Sequence, residues 1–129
     1  MYAYLLLALL SSASAPPPPP PAFPADWTGQ WRGTVHVLSG ADTVQSAAIR
    51  LDIAALDSGR YTWQLGYGEP GADERPYLLA PADEPGHWRV EEANGIVLDS
   101  YVHTGVLYSA FEVAGQLLVT RDELRGDTL

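Results

Sequence analysis

The stretch RYTWQLGY, residues 60–67, decides the fold class. Tyr61, Trp63, Leu65 and Tyr67 fall on one face, and Thr62, Gln64 and Gly66 on the other. A period of two in a run of aromatic and β-favouring residues is the pattern of a strand with one buried face. AAIRLDI, residues 47–53, sets Ile49, Leu51 and Ile53 against Arg50 and Asp52 in the same way. Upstream, Trp31, Gly33, Val35 and Val37 alternate with Arg32, Thr34 and His36.

Downstream runs extend over Pro76–Ala80, His87–Glu92, Ile96–Val102, Val106–Val113 and Gln116–Arg121. The breaks between runs carry turn chemistry. Asn94-Gly95 suits a type I′ hairpin, in which both central residues take positive φ. Ser39-Gly40, Ser58-Gly59, Thr104-Gly105 and Ala114-Gly115 are weaker versions, and 68–74 and 81–86 are longer loops rich in Gly and Pro. From Trp27 onward no segment shows a helical stripe. The spacing predicts an all-β chain of about eight sequential antiparallel strands, a meander whose sheet hides its apolar face by closing into an up-and-down barrel. A two-sheet sandwich is the alternative, but its crossovers need longer connections than these.

DWTGQWRGTVHV, residues 26–37, then reads as the entry to that barrel. Trp31 faces inward as the plug. Gly29 and Gly33 flank it on the same face and leave room for the indole, and Trp27 caps the end.

The bulk numbers limit the function. At 129 residues the chain holds one domain, and 47% apolar residues are enough for a core. It has no cysteine, which excludes disulfides, thiolate metal sites and a cysteine nucleophile. All seven basic residues are arginine and the net charge is −9. Such a surface repels phosphate backbones and anionic headgroups, so neither nucleic acid nor a membrane surface is an expected partner.

The N-terminus reads as a signal peptide over residues 1–15, with an apolar run Leu5–Leu10 and small residues at Ala13-Ser14-Ala15. The run is well short of the roughly 20 residues that span a bilayer. Residues 16–25 open with six prolines, Pro16–Pro21, a stiff polyproline spacer about 19 Å long. The folded domain is expected over 26–129, in a secreted or periplasmic protein. RGDTL at the end places a hairpin turn at Gly126-Asp127 with Thr128-Leu129 as its return; either the barrel closes at the eighth strand with a short tail or the sequence is a piece of a longer one.

Gly29-Gln30-Trp31 resembles the G-x-W signature at the first strand of lipocalins and the wider calycin group. In that family an arginine near the last strand packs over the tryptophan, and Arg121 matches it by position. The sequence is also similar to small exported bacterial proteins of unknown function, through Trp27–Gly33, Tyr61–Trp63, Glu92–Ile96 and Ser109–Phe111. The resemblance implies a calycin-type barrel. It departs from the lipocalins in lacking a helix after the barrel, and from fatty-acid-binding proteins in lacking a helical lid between the first two strands.

Six aromatic residues, Trp31, Tyr61, Trp63, Tyr67, Trp88 and Phe111, are the candidate ligand-binding set. They either line a lumen for a small apolar or amphipathic molecule or fill a narrow barrel as core. Of the three histidines, His103 shares a strand face with Asp99 and Tyr101, the arrangement of an oriented base or haem ligand. Glu91 and Glu92 point to opposite faces and cannot act as a carboxylate pair; Glu92 is expected to brace the Asn94-Gly95 turn. No metal-ligand spacing, nucleophile elbow or phosphate loop occurs. No catalysis, metal or cofactor is therefore expected. Three functions stay open: a ligand carrier, a solid barrel acting as an envelope or protein-interaction module, and a haem-binding or hydrolytic protein using His103 or His36.

Overall fold

A computed structural model describes residues 14–129. The signal peptide expected over 1–15 lies almost wholly outside the described residues. A short 3-10 turn, Ala25–Trp27, leads into β1 (Gly29–Ser39), β2 (Asp42–Ala55), β3 (Tyr61–Tyr67), β4 (Asp73–Pro81), β5 (His87–Glu92), β6 (Val97–His103), β7 (Val106–Val113) and β8 (Gln116–Glu123). The strands form one antiparallel sheet in chain order, a meander curled strongly into a half-barrel. Seven ladders join neighbours, and β1 and β8 stand as the two edges with no ladder between them. The all-β meander is as expected, whereas the closing ladder is not made.

Register fixes which residues face inward. Trp31 lies opposite Leu51 and Leu51 opposite Leu65. Ile53 meets Trp63, and Trp63 meets Tyr77. Leu79 meets Val90, Val102 meets Leu107, and Phe111 meets Leu118. Because side chains alternate along each strand, these pairs define one concave face.

The turns differ from their sequence expectation. Both central residues have positive φ at Ser58-Gly59, Thr104-Gly105 and Ala114-Gly115. Those three pairs therefore carry the type I′ signature. At Asn94-Gly95 only Gly95 is positive. There the Gly95 N–H donates to Glu92 O at 3.1 Å, and the Glu92 N–H donates to Ile96 O at 2.8 Å. The result is a three-residue loop with Gly95 in the left-handed position, and Asn94 Oδ1 accepts from the Ile96 N–H. The expected Gly126-Asp127 turn is present, closed by a bridge between Arg125 and Thr128.

One end of the half-barrel is plugged. Trp27, Ile53, Trp63, Leu79, Leu107 and Leu124 form the core cluster, with Trp27 and Leu79 fully buried. Trp27, expected as a cap, is the plug itself. Trp31 is only partly buried, and its Nε1–H donates to Trp27 O at 2.9 Å, tying the strand entry to the turn before it. The flanking glycines do not make room for its indole. A Cβ at Gly29 would meet nothing within 4 Å, and one at Gly33 would make ordinary contact with Ile49. Gly29 is instead required by its φ of +141°.

The folded unit also reaches further back than Asp26. The Phe23 ring packs edge-on against Trp27 at 4.9 Å and Trp88 at 5.4 Å between centroids, and Pro24 is buried. The polyproline side is not wholly free either, since Pro20 lies close against Gly105.

Candidate functional site

Above the plug, the concave face encloses a cavity of about 810 Å³, within the range of small-molecule sites. Of the six candidate aromatics, Trp31, Trp63, Tyr67 and Phe111 line it. Tyr61 and Trp88 are not among its lining residues. They pack edge-to-face at 6.4 Å and lie against the plug. Their positions near the closed ends of β3 and β5 put them one layer below the cavity. The six residues thus divide between lumen and core, the two uses left open by sequence alone.

The lining combines an apolar wall with a few polar groups. Leu51, Leu65 and Leu118 continue the wall around the aromatic rings. At the rim, Arg75 donates from Nε and Nη2 to the two carboxylate oxygens of Asp73, both at 3.0 Å. These hydrogen bonds hold the Asp73 carboxyl below the usual carboxylate range. The same guanidinium stands 5.1 Å over the Tyr67 ring, a cation–π contact. Burial raises the Tyr67 hydroxyl above its ordinary pKa, outweighing the opposing effect of Arg75.

Deeper in the lumen, Ser100 and Ser109 face each other across β6 and β7 with hydroxyls 2.6 Å apart. Ser100 is fully buried, so this mutual hydrogen bond satisfies a group that would otherwise be costly to bury. Beside them, Asp122 lines the cavity from β8, opposite the buried Leu107. Its carboxylate has no hydrogen bond or ion pair with any other described residue. Burial pushes its pKa up from 3.8. Glu92 also turns inward and lines the cavity. It braces the 92–96 turn through its backbone rather than through its side chain.

The raised Asp122 pKa has a stability consequence of definite sign. A carboxyl whose folded pKa exceeds its unfolded value costs nothing while protonated in both states. It destabilises the fold progressively as pH rises from near the unfolded value through the raised one. Asp122→Asn is therefore expected to raise Tm at pH 7 and to leave it nearly unchanged at pH 3. Thermal unfolding at the two pH values checks this; an equal shift at both would remove ionisation as the cause.

The histidines lie elsewhere. Asp99 is engaged by His87, whose Nε2 lies 2.7 Å from Asp99 Oδ1 and whose ring stacks on Tyr101 at 4.7 Å. The β5–β6 register sets His87 opposite Tyr101, so the imidazole reaches Asp99 along the diagonal. His103, expected as the partner, is exposed. His36 Nδ1 lies 2.8 Å from Ser46 Oγ on the exposed β1–β2 arm. Arg121 does not pack over Trp31. It is on the outer face of β8, where its Nη2 donates to Glu123 at 2.6 Å. No group of three or more metal-ligating side chains occurs among the described residues, and no described helix is long and apolar enough to cross a membrane.

No protein-family model, curated protein or solved structure matches the chain.

Proposed function

We propose that the protein is an exported, lipocalin-like carrier that holds a small apolar or amphipathic molecule in the lumen of its half-barrel. The supporting observation is the cavity of about 810 Å³ above a sealed aromatic plug, walled by Trp31, Trp63, Tyr67 and Phe111. A solid barrel would have filled the space above Trp63 with packed side chains. Here the packed cluster stops at the level of Trp63, and the inward side chains above it border open space.

Binding of the neutral dye N-phenyl-1-naphthylamine, followed by its fluorescence, tests this proposal. At about −0.3 kcal/mol per non-hydrogen atom over about 17 atoms, binding should reach a Kd of roughly 0.2 mM or below. Thr120→Trp places an indole in the lumen from the edge strand, and is expected to weaken the dye about tenfold or more. Equal binding by this variant and the parent would place the dye elsewhere and remove the carrier function.

The interaction-module reading is favoured by a separate observation. Leu117 and Val119 stand exposed on the outer face of the edge strand β8, at 72% and 68%. A partner recognised there would bind Thr120→Trp as well as the parent and would lose affinity for Val119→Lys.

A further inference from the structure

The lumen is chemically asymmetric. Its guanidinium at the rim, Arg75, is already committed to Asp73 and Tyr67. Arg32, at the β1 side, is bound to Asp52 at 2.7 Å. The charged groups of the lumen that make no ion pair with another described residue are carboxylates: Asp122 at the floor, Glu92 beside the 93–95 turn and the exposed Asp127 in the tail. Asp122 stands one inward position above Leu124 of the plug, so it marks the deep end of the cavity. Its side chain is partly buried and lines the cavity.

We propose, building on the carrier function above, that the lumen selects a cationic amphiphile. An alkyl- or arylammonium ion would enter head first. Its N–H groups would donate to the Asp122 carboxylate, and its apolar body would lie against Trp31, Trp63, Leu65 and Phe111. An unpaired carboxylate next to apolar surface is unfavourable in the empty protein, and an ammonium ion supplies both the counter-charge and the missing donors. The surrounding aromatic faces attract cations as well. A fatty carboxylate meets the opposite situation: it would have to displace Asp73 from Arg75 and approach Asp122 and Glu92 with like charge.

The preference also carries a pH dependence. The titratable groups lining the lumen are Tyr67 on β3, Arg75 and Tyr77 on β4, Glu92 on β5, Asp122 on β8 and Asp127 in the tail, with Asp73 held at the rim by Arg75. β1 adds only the paired Arg32, and β2, β6 and β7 turn apolar or hydroxyl side chains inward. Among these groups, burial raises the Asp122 carboxyl above the usual carboxylate range. The ammonium preference is therefore expected to grow as pH rises and to flatten once Asp122 is ionised.

Displacement of the dye from the full chain by dodecylammonium, dodecanol and dodecanoate tests the proposal. At pH 7 dodecylammonium is expected to bind about 10–100-fold more tightly than dodecanol, with dodecanoate weakest. Asp122→Asn should bring the ammonium-to-alcohol ratio close to one. Asp99→Asn, which removes the same charge from the outer face, should keep it. A ratio that survives Asp122→Asn, or falls equally in both variants, overturns the assignment to Asp122. Dodecanoate binding as tightly as dodecylammonium overturns the cation preference while leaving the carrier function intact. Failure of all three ligands and of the dye to bind removes both.

Discussion

Replacing Trp27 by alanine is expected to cost about 3–5 kcal/mol, the range for removing a large buried aromatic side chain. Trp27 is fully inaccessible and sits among Phe23, Trp63 and the other members of the plug. The buried hydrophobic set of the described residues is small, comprising Trp27, Ile53, Trp63, Leu79, Val106, Leu107 and Leu124. A loss of that size is therefore a large share of the stability typical of a domain of this length. Tm should fall by roughly 12 °C or more. Trp27→Phe separates packing from polarity. The Trp27 Nε1–H is buried and has no hydrogen-bond acceptor, so losing it removes no favourable bond. The phenylalanine variant should cost only roughly 1–2 kcal/mol, for the reduced volume. Equal losses in the two variants would mean that the indole N–H matters and that its environment is not as described.

Phe23→Ala carries the second large effect. Phe23 is half-buried yet meets Trp27, Trp63 and Trp88 at centroid distances of 4.9, 6.4 and 5.4 Å. Its truncation is expected to cost about 2–3 kcal/mol, below the value for a fully buried ring. A residue in a free spacer would change stability by no more than about 0.5 kcal/mol. Chemical denaturation of the variant distinguishes the two. The outcome decides whether the folded unit includes the residues just after the polyproline run.

Much of the fold was legible because strand periodicity is a local property. Tyr61 to Tyr67 declares its two faces without reference to any neighbour, and so do Ile49 to Ile53 and Val106 to Val113. Turn type was less legible, because positive φ at Thr104 and Ala114 is imposed by the twist of the flanking strands rather than advertised by the residue. The role of Phe23 was hidden by its neighbours: a ring embedded in prolines looks like linker until the plug that receives it is known. The division of the aromatics followed from depth along the axis. Alternation tells that Tyr61 and Tyr67 face inward, but not that one lies in the plug and the other at the rim.

The candidate site was legible only in part. Asp122 carried a usable signal, because it continues the inward alternation of Leu118 and Thr120 and is followed in step by Leu124. Ending the last strand at Arg121 concealed it. Arg121 itself shows the limit of positional resemblance, since one residue of register separates the inward face from the outer one. The His87–Asp99 pair depends on the β5–β6 register, which the three-residue loop at Ala93–Gly95 sets and which no composition or spacing within either strand reveals.

The central claim is that the eight strands curl until distant ones meet over one plug. The most direct measurement is the methyl–aromatic NOE network of the folded chain. Cross-peaks are predicted that join the methyls of Leu79 on β4, Leu107 on β7 and Leu124 after β8 to the rings of Trp27 and Trp63. Four strand spacings separate β4 from β8, so in a flat sheet Leu79 and Leu124 would lie about 19 Å apart, far beyond NOE range. Cross-peaks confined to adjacent strands would mean an uncurled sheet, and with it no plug and no lumen.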